Sequence, residues 1–120
     1  VTNAARPVAG TRLLATAAVP DDAGIVVDFA VGDSRWSVIV ARDGDRFVAY
    51  ENRCPHAGMP LDRPDGAVTI DLRGFLVCAA HLASFRLWDG GYAGGPKGPG
   101  SRGLTPVAVA EHDGQVILAE

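Results

Sequence analysis

Apolar residues fall in short runs along this chain, cut at regular intervals by turn-forming residues. Gly10 to Val19 is the first plausible strand, ended by Pro20-Asp21-Asp22-Ala23-Gly24. Ile25-Val26-Val27-Asp28-Phe29-Ala30-Val31 follows and stops at Gly32-Asp33. Trp36-Ser37-Val38-Ile39-Val40 and Phe47-Val48-Ala49-Tyr50 flank Asp43-Gly44-Asp45, which reads as a hairpin. A second hairpin places Val68-Thr69-Ile70 and Phe75-Leu76-Val77 on either side of Asp71-Leu72-Arg73-Gly74. Phe85-Arg86-Leu87-Trp88 comes next, and Val107-Ala108-Val109 with Val116-Ile117-Leu118 surrounds Asp113-Gly114. Short β-branched runs separated by turn residues predict an all-β domain. No sustained helical period and no internal repeat interrupts the pattern.

Composition narrows this picture. A chain of 120 residues suits one domain, 1–120, with a modest core. Its 15 glycines and 8 prolines favour turns over long helices. A net charge of −3 supplies no basic field, so neither nucleic acid nor an anionic membrane is an expected partner. No run approaches the ~20 apolar residues of a membrane span. Val1 to Pro7 holds one arginine with no apolar block after it, which does not read as a signal peptide. With reduced cysteines, that pattern makes the cytoplasm the expected compartment.

The chemistry concentrates in two segments. Cys54-Pro55-His56 and Cys78-Ala79-Ala80-His81 contain both cysteines and two of the three histidines. Cys54, His56, Cys78 and His81 form a four-ligand metal pattern, one thiol and one imidazole per segment, with 21 residues between the segments. Soft thiolate with imidazole suits zinc or iron–sulfur chemistry, and the ligand set alone does not separate them. A disulfide would not require a histidine at ligand spacing beside each cysteine.

Read outward, Cys54-Pro55-His56-Ala57-Gly58-Met59-Pro60-Leu61 and Cys78-Ala79-Ala80-His81-Leu82-Ala83-Ser84-Phe85 resemble the two cluster-binding loops of Rieske-type [2Fe–2S] proteins. In such a centre two histidines replace two cysteines on one iron. Asp89-Gly90-Gly91 and Gly94-Gly95-Pro96-Lys97-Gly98-Pro99-Gly100 resemble the turn and proline-rich loop that cover the cluster. Phe47 to Arg53 resembles the strand that delivers the first loop. The resemblance implies a small antiparallel β sandwich or barrel with cluster-binding loops near 53–62 and 77–86 at one tip, and a covering loop near 89–100. It implies that Cys54 and Cys78 hold the inner iron. His56 and His81 would hold the outer iron through Nδ1, leaving Nε2–H near the surface as an electron exit.

Neutral imidazoles in place of two thiolates leave the reduced cluster less negative. This lifts the potential to about −150 to +300 mV, against about −400 mV for plant-type ferredoxins. High-potential relatives add an inter-loop disulfide and two hydroxyls close to cluster sulfur and a cysteine ligand. This chain has no further cysteine, and the matching positions are Ala83 and Phe85. A low-potential, ferredoxin-like centre follows. Leu82 departs from the family, where glycine is common; leucine would strain a left-handed position, redirect the loop, or form an apolar lid. The 21-residue gap implies a long hairpin from Pro64 to Val77.

Several other residues have ordinary readings. His112, beside Asp113-Gly114, is expected to face solvent. Trp36, Trp88 and Phe47 are expected in the core. Met59, Leu61 and Phe85 are candidates to shield the cluster, and Arg53 and Arg63 are read as solvated charges. The glycines from Gly90 to Gly103 lack the Lys-Ser/Thr pair of a phosphate-binding loop.

The function implied is a one-electron carrier without its own catalytic site, similar to ferredoxins that pass electrons from a flavin reductase to a terminal oxygenase. An oxygenase needs a mononuclear iron with two more histidines and a carboxylate, and only His112 remains. The alternatives are a small subunit of a reductase complex, as in assimilatory nitrite reductase, and a structural zinc domain. Zinc sites more often separate a cysteine pair from a histidine pair, whereas this chain mixes the two in each arm.

Overall fold

The computed structural model describes residues 6–55, 58–79, 82–95 and 102–119. Among the described residues, ten strands make two antiparallel sheets. β1 (Arg12–Ala15), β9 (Val109–His112) and β10 (Gln115–Leu118) form a three-stranded sheet in the order β1-β10-β9. The larger sheet runs β4-β3-β2-β5-β6-β7-β8. Its strands are β2 (Ala23–Val31), β3 (Ser34–Asp43), β4 (Arg46–Glu51), β5 (Ala67–Ile70), β6 (Phe75–Val77), β7 (Ser84–Arg86) and β8 (Tyr92–Gly94). The all-β antiparallel expectation holds, and among the described residues no helix is long and apolar enough to cross a membrane.

The run Trp36-Ser37-Val38-Ile39-Val40 does not alternate apolar with polar because β3 is buried on both faces. Ile39 and Ala41 point into one core with Tyr50, Cys54, Leu61, Leu76, Cys78 and Phe85. Trp36, Val38 and Val40 point into a second core with Leu13, Leu14, Val107, Val116 and Leu118. The β3–β4 hairpin is thus a wall shared by two cores, and near-continuous hydrophobicity is what such a strand requires. The first core carries the cysteines.

Three strand expectations shift. Gly10 to Val19 yields only β1, because Thr16–Ala18 winds into a single 3-10 turn. β7 ends at Arg86, where the Arg86 N–H donates to the Gly91 carbonyl and the Gly90 N–H donates back to that of Arg86, each at 2.8 Å. Val107 precedes β9; its N–H donates to the Ala49 carbonyl at 2.9 Å, closing part of the β4 edge. β8 has no counterpart among the apolar runs, since two of its three residues are small.

Trp88 is a correction. Expected in the core, it is 49% exposed. It sits in the turn after β7 and packs against Phe75 in a tilted arrangement, ring centres 6.1 Å apart at 56°. Trp36 is buried, Phe47 is half-buried against the second core, and His112 is exposed, as expected.

Tyr50 ties β4 to that same turn. Its hydroxyl donates to the Leu87 carbonyl at 2.7 Å. Burial, reinforced by the Asp89 carboxylate, pushes its pKa up to about 12. A raised phenol pKa means that stability is fully present below the ordinary value of 10.0 and is lost as pH rises toward about 12. Alkaline denaturation should therefore show a loss of stability across that window in the parent. Tyr50→Phe should flatten the slope; an unchanged slope would show that other groups control it.

Candidate cluster site

The two cysteines sit in loops that leave parallel positions in the fold, Cys54 after β4 and Cys78 after β6. Their thiols are buried, at 2% and 0% residue exposure, in one apolar core, and no disulfide joins them. The backbone closes both loops in the same way. Cys54 N–H donates to the Met59 carbonyl at 2.7 Å, and Cys78 N–H to the Ala83 carbonyl at 2.9 Å, each five residues on. In return Gly58 N–H donates to the Cys54 carbonyl at 2.7 Å and Leu82 N–H to the Cys78 carbonyl at 2.9 Å, each four residues on. Two reciprocal bonds per loop hold each cysteine in a closed turn, although the histidine spacings differ.

This duplication explains Leu82. The fourth residue after each cysteine must turn left-handed for the loop to close, and φ is +67° at Gly58 and +62° at Leu82. Leucine therefore follows the glycine path, accepts the strain, and projects outward at 69% exposure. Of the outcomes foreseen for it, the strained position is the one realised and the redirected loop is not.

Buried Asn52 joins the loops to the sheet, and sequence reasoning passed over it. Its Oδ1 accepts the Leu61 N–H at 2.8 Å, while its Nδ2 donates to Ser37 Oγ at 3.1 Å and Asp62 Oδ1 at 3.0 Å. Leu61 in turn offers its carbonyl to the Ala79 N–H of the second loop at 3.1 Å. A hydrogen-bonded path thus runs from β3 through Asn52 and Leu61 to the residue after Cys78. The available signal was an asparagine two residues before Cys54, at a strand end where a side-chain amide substitutes for lost ladder partners.

Leu61 and Phe85 are fully buried beside the cysteines, whereas Met59 is 47% exposed. The Arg53 guanidinium lies against Gly58, and Arg63 pairs with Asp65 at 3.0 Å. On the approach to the covering segment, the Arg86 guanidinium and then the Gly91 N–H hold the Asp89 carboxyl below its ordinary pKa. His56, His81 and Pro96-Lys97-Gly98-Pro99-Gly100 lie outside the described residues.

Comparison with known proteins places this geometry. The family model for the Rieske [2Fe-2S] domain matches residues 11–113. The fold is similar to the Sphingomonas yanoikuyae B1 ferredoxin, with a TM-score of 0.71, 21% identity, and coverage of 92% of this chain and 98% of that one. It is similar to the ferredoxin of carbazole 1,9a-dioxygenase from Nocardioides aromaticivorans IC177, with a TM-score of 0.69, 21% identity, and coverage of 93% and 98%. It also matches the terminal oxygenase of carbazole 1,9a-dioxygenase from that organism, at a TM-score of 0.71 and 19% identity, covering 90% of this chain but 29% of the oxygenase. No curated protein sequence matches it.

Two buried thiols thus sit on matched, backbone-closed loops within the span that the family model covers. The chain belongs to the Rieske [2Fe-2S] domain family, and its cofactor is a [2Fe–2S] cluster. The side chains present fit that group: two soft thiols are shielded in one apolar core, with no disulfide joining them.

Two substitutions test the loop geometry. A left-handed non-glycine residue costs roughly 1–2 kcal/mol, and glycine's extra freedom in the unfolded chain returns about 0.5–1 of that. Leu82→Gly should therefore stabilise the protein by roughly 0.5–1 kcal/mol in chemical denaturation; destabilisation would mean that the leucine side chain makes contacts worth more than its strain. Asn52→Ala strands the buried Leu61 N–H and should cost about 1–3 kcal/mol. A loss under ~0.5 kcal/mol would show that water replaces the amide.

Proposed function

We propose that this chain is a ferredoxin, a one-electron carrier serving an oxygenase or a similar redox system, and that Cys54, His56, Cys78 and His81 hold its cluster. The observation that carries the ligand assignment is the matched closure of the two loops around Cys54 and Cys78. It gives both thiols the same backbone setting inside one core, which a metal shared between two loops needs and an ordinary buried cysteine does not. His56 and His81 follow within each loop before the residue that closes it. The 1–120 single-domain division, with ligand loops near 53–62 and 77–86 and a covering loop near 89–100, is part of the same reading, as is a cytoplasmic setting.

The bound cluster supplies one-electron chemistry near the potentials of histidine-ligated centres. The chain's own residues bury the thiols, exclude water from the inner side of the loops through Leu61 and Phe85, and leave the outer side open around Met59 and Leu82. Among these 120 residues only His112 remains as a histidine beyond the proposed ligands, and it is exposed at the end of β9. A two-histidine, one-carboxylate iron site cannot be assembled from them. Support for the role comes from the ferredoxins matched over 98% of their own length, one of them the ferredoxin of carbazole 1,9a-dioxygenase. The expected partners are accordingly a flavin reductase as donor and a terminal oxygenase as acceptor. Ala83 and Phe85 are buried and supply no hydroxyl, which keeps the potential low in the family range.

Fresh protein should be red-brown, carry the iron of one [2Fe–2S] cluster per chain, and give a Rieske-type EPR signal after dithionite reduction. Its midpoint should fall below ~0 mV within the range of such centres. Cys54→Ser and Cys78→Ser should each abolish the signal. Stoichiometric zinc in a colourless sample would sink the carrier reading, and a midpoint clearly above ~0 mV would sink the low-potential part of it.

A further inference from the structure

The two cysteine loops meet again at an open pocket of ≈ 400 Å³. Met59 and Pro60, at the end of the first loop, and Ala79, the residue after Cys78, line it together with Asp62, Arg63 and Pro64. The backbone that carries Asp62 is anchored on both sides. Leu61 is bonded to Asn52 and to Ala79. The Arg63 N–H donates to the Ala67 carbonyl, and the Arg63 carbonyl accepts the Gly66 N–H, each at 2.9 Å. Pro60 and Pro64 bracket the stretch and fix φ at its two ends. The side chain is anchored as well, since Asp62 Oδ1 accepts the Asn52 Nδ2 hydrogen at 3.0 Å.

That carboxylate has no cation of its own: among the described residues Asp62 enters no ion pair. The neighbouring Arg63 guanidinium is engaged by Asp65 at 3.0 Å and by Thr69 Oγ1 at 3.3 Å. Arg53 rests on Gly58 and does not line the pocket. One uncompensated negative charge therefore faces side chains that are mostly apolar, those of Met59, Pro60, Pro64 and Ala79. A single carboxylate is too little for a metal ion, and no group of three metal-ligating side chains gathers among the described residues. The mixture fits a lysine or an arginine. Its methylene stem lies along apolar surface while its cationic head reaches the carboxylate in a charge-assisted hydrogen bond.

We propose that this pocket is a docking subsite for the protein that accepts the electron. It receives a basic side chain of that acceptor and seats the acceptor's surface against the second loop, at the residue next to Cys78. The inference rests on the carrier reading proposed above. Charge complementarity identifies the occupant: an anionic pocket on a chain of net charge −3 selects a basic partner surface. Because Asp62 is already held in place, little order has to be imposed on it when the cation enters.

The probe is cytochrome c, a basic protein that takes up one electron. Reduced parent, Asp62→Asn and Asp45→Asn are mixed with it by stopped flow over a series of ionic strengths, after iron content and midpoint potential are measured for each. Asparagine at position 62 keeps an oxygen to accept from Asn52 and removes the charge. Asp45 is exposed on the β3–β4 turn, at the far end of β4 from Cys54, and its substitution changes the net charge equally. With parental iron content and midpoint, Asp62→Asn should react about fivefold more slowly at low ionic strength, the worth of one unit-charge pair at ~4 Å in water. The difference should close at high salt, and Asp45→Asn should stay close to the parent. Equal rates in the two variants, or a loss that salt does not reduce, overturn the proposal and leave the carrier reading standing. A parent without iron removes both together. If Asp62→Asn changes iron content or midpoint, Met59→Lys decides, because it sets a cation at the pocket and leaves the Asn52 bonds intact. It should react more slowly than Leu72→Lys, which adds the same charge on the exposed β5–β6 turn; equal rates in those two overturn the proposal.

Discussion

Everything at the tip depends on the reciprocal backbone bonds that close each cysteine into its turn. A buried thiol is of no use to a metal unless its backbone is fixed, and a loop cannot rely on apolar packing alone to fix it, because loops must also satisfy their own polar groups. Here those groups satisfy one another: each cysteine gives its N–H forward and receives one back on its carbonyl. Asn52 and the Leu61–Ala79 bond then tie the two closed turns to β3 and to each other. Remove the closure and the cysteines are ordinary core residues; keep it and they are a matched pair.

Much of the architecture is legible in the order of residues alone. The turn pairs around Gly44, Gly74 and Gly114 each fall between paired strands, because φ > 0 at a hairpin favours glycine and the flanking β-branched runs need partners. The cysteine loops after β4 and β6 are legible for a different reason. Ligand-type residues are scarce, and their spacing is not shared with core packing. What escapes such a reading is whatever depends on tertiary partners. β8 is held by register with β7 and carries little apolar signal of its own. Trp88 is drawn outward because the turn it occupies must leave the sheet, and its ring finds Phe75 at the surface. Asn52 looks like any polar residue at a strand end until the Leu61 N–H is seen to point at it.

The two loops also show how one rule accommodates unlike sequences. The first meets its left-handed requirement with Gly58 and sets Arg53 against it; the second meets it with Leu82 at the expense of strain. The leucine leaves an aliphatic group in solvent beside the second loop, as the half-exposed Met59 does beside the first. Strain at a functional tip of this kind persists only where the surrounding hydrogen bonds over-determine the backbone, which the closure bonds do.

The shared β3–β4 wall couples the two cores mechanically. Because Ile39 and Ala41 serve one core while Val38 and Val40 serve the other, neither core has a boundary along which it can melt alone. The three-stranded sheet, built from segments well away from the cysteines in the chain, acts as ballast for the loops that carry them. A disturbance at the cysteine loops is therefore carried by the hairpin backbone into the core on its far side, and the reverse holds for damage to the three-stranded sheet.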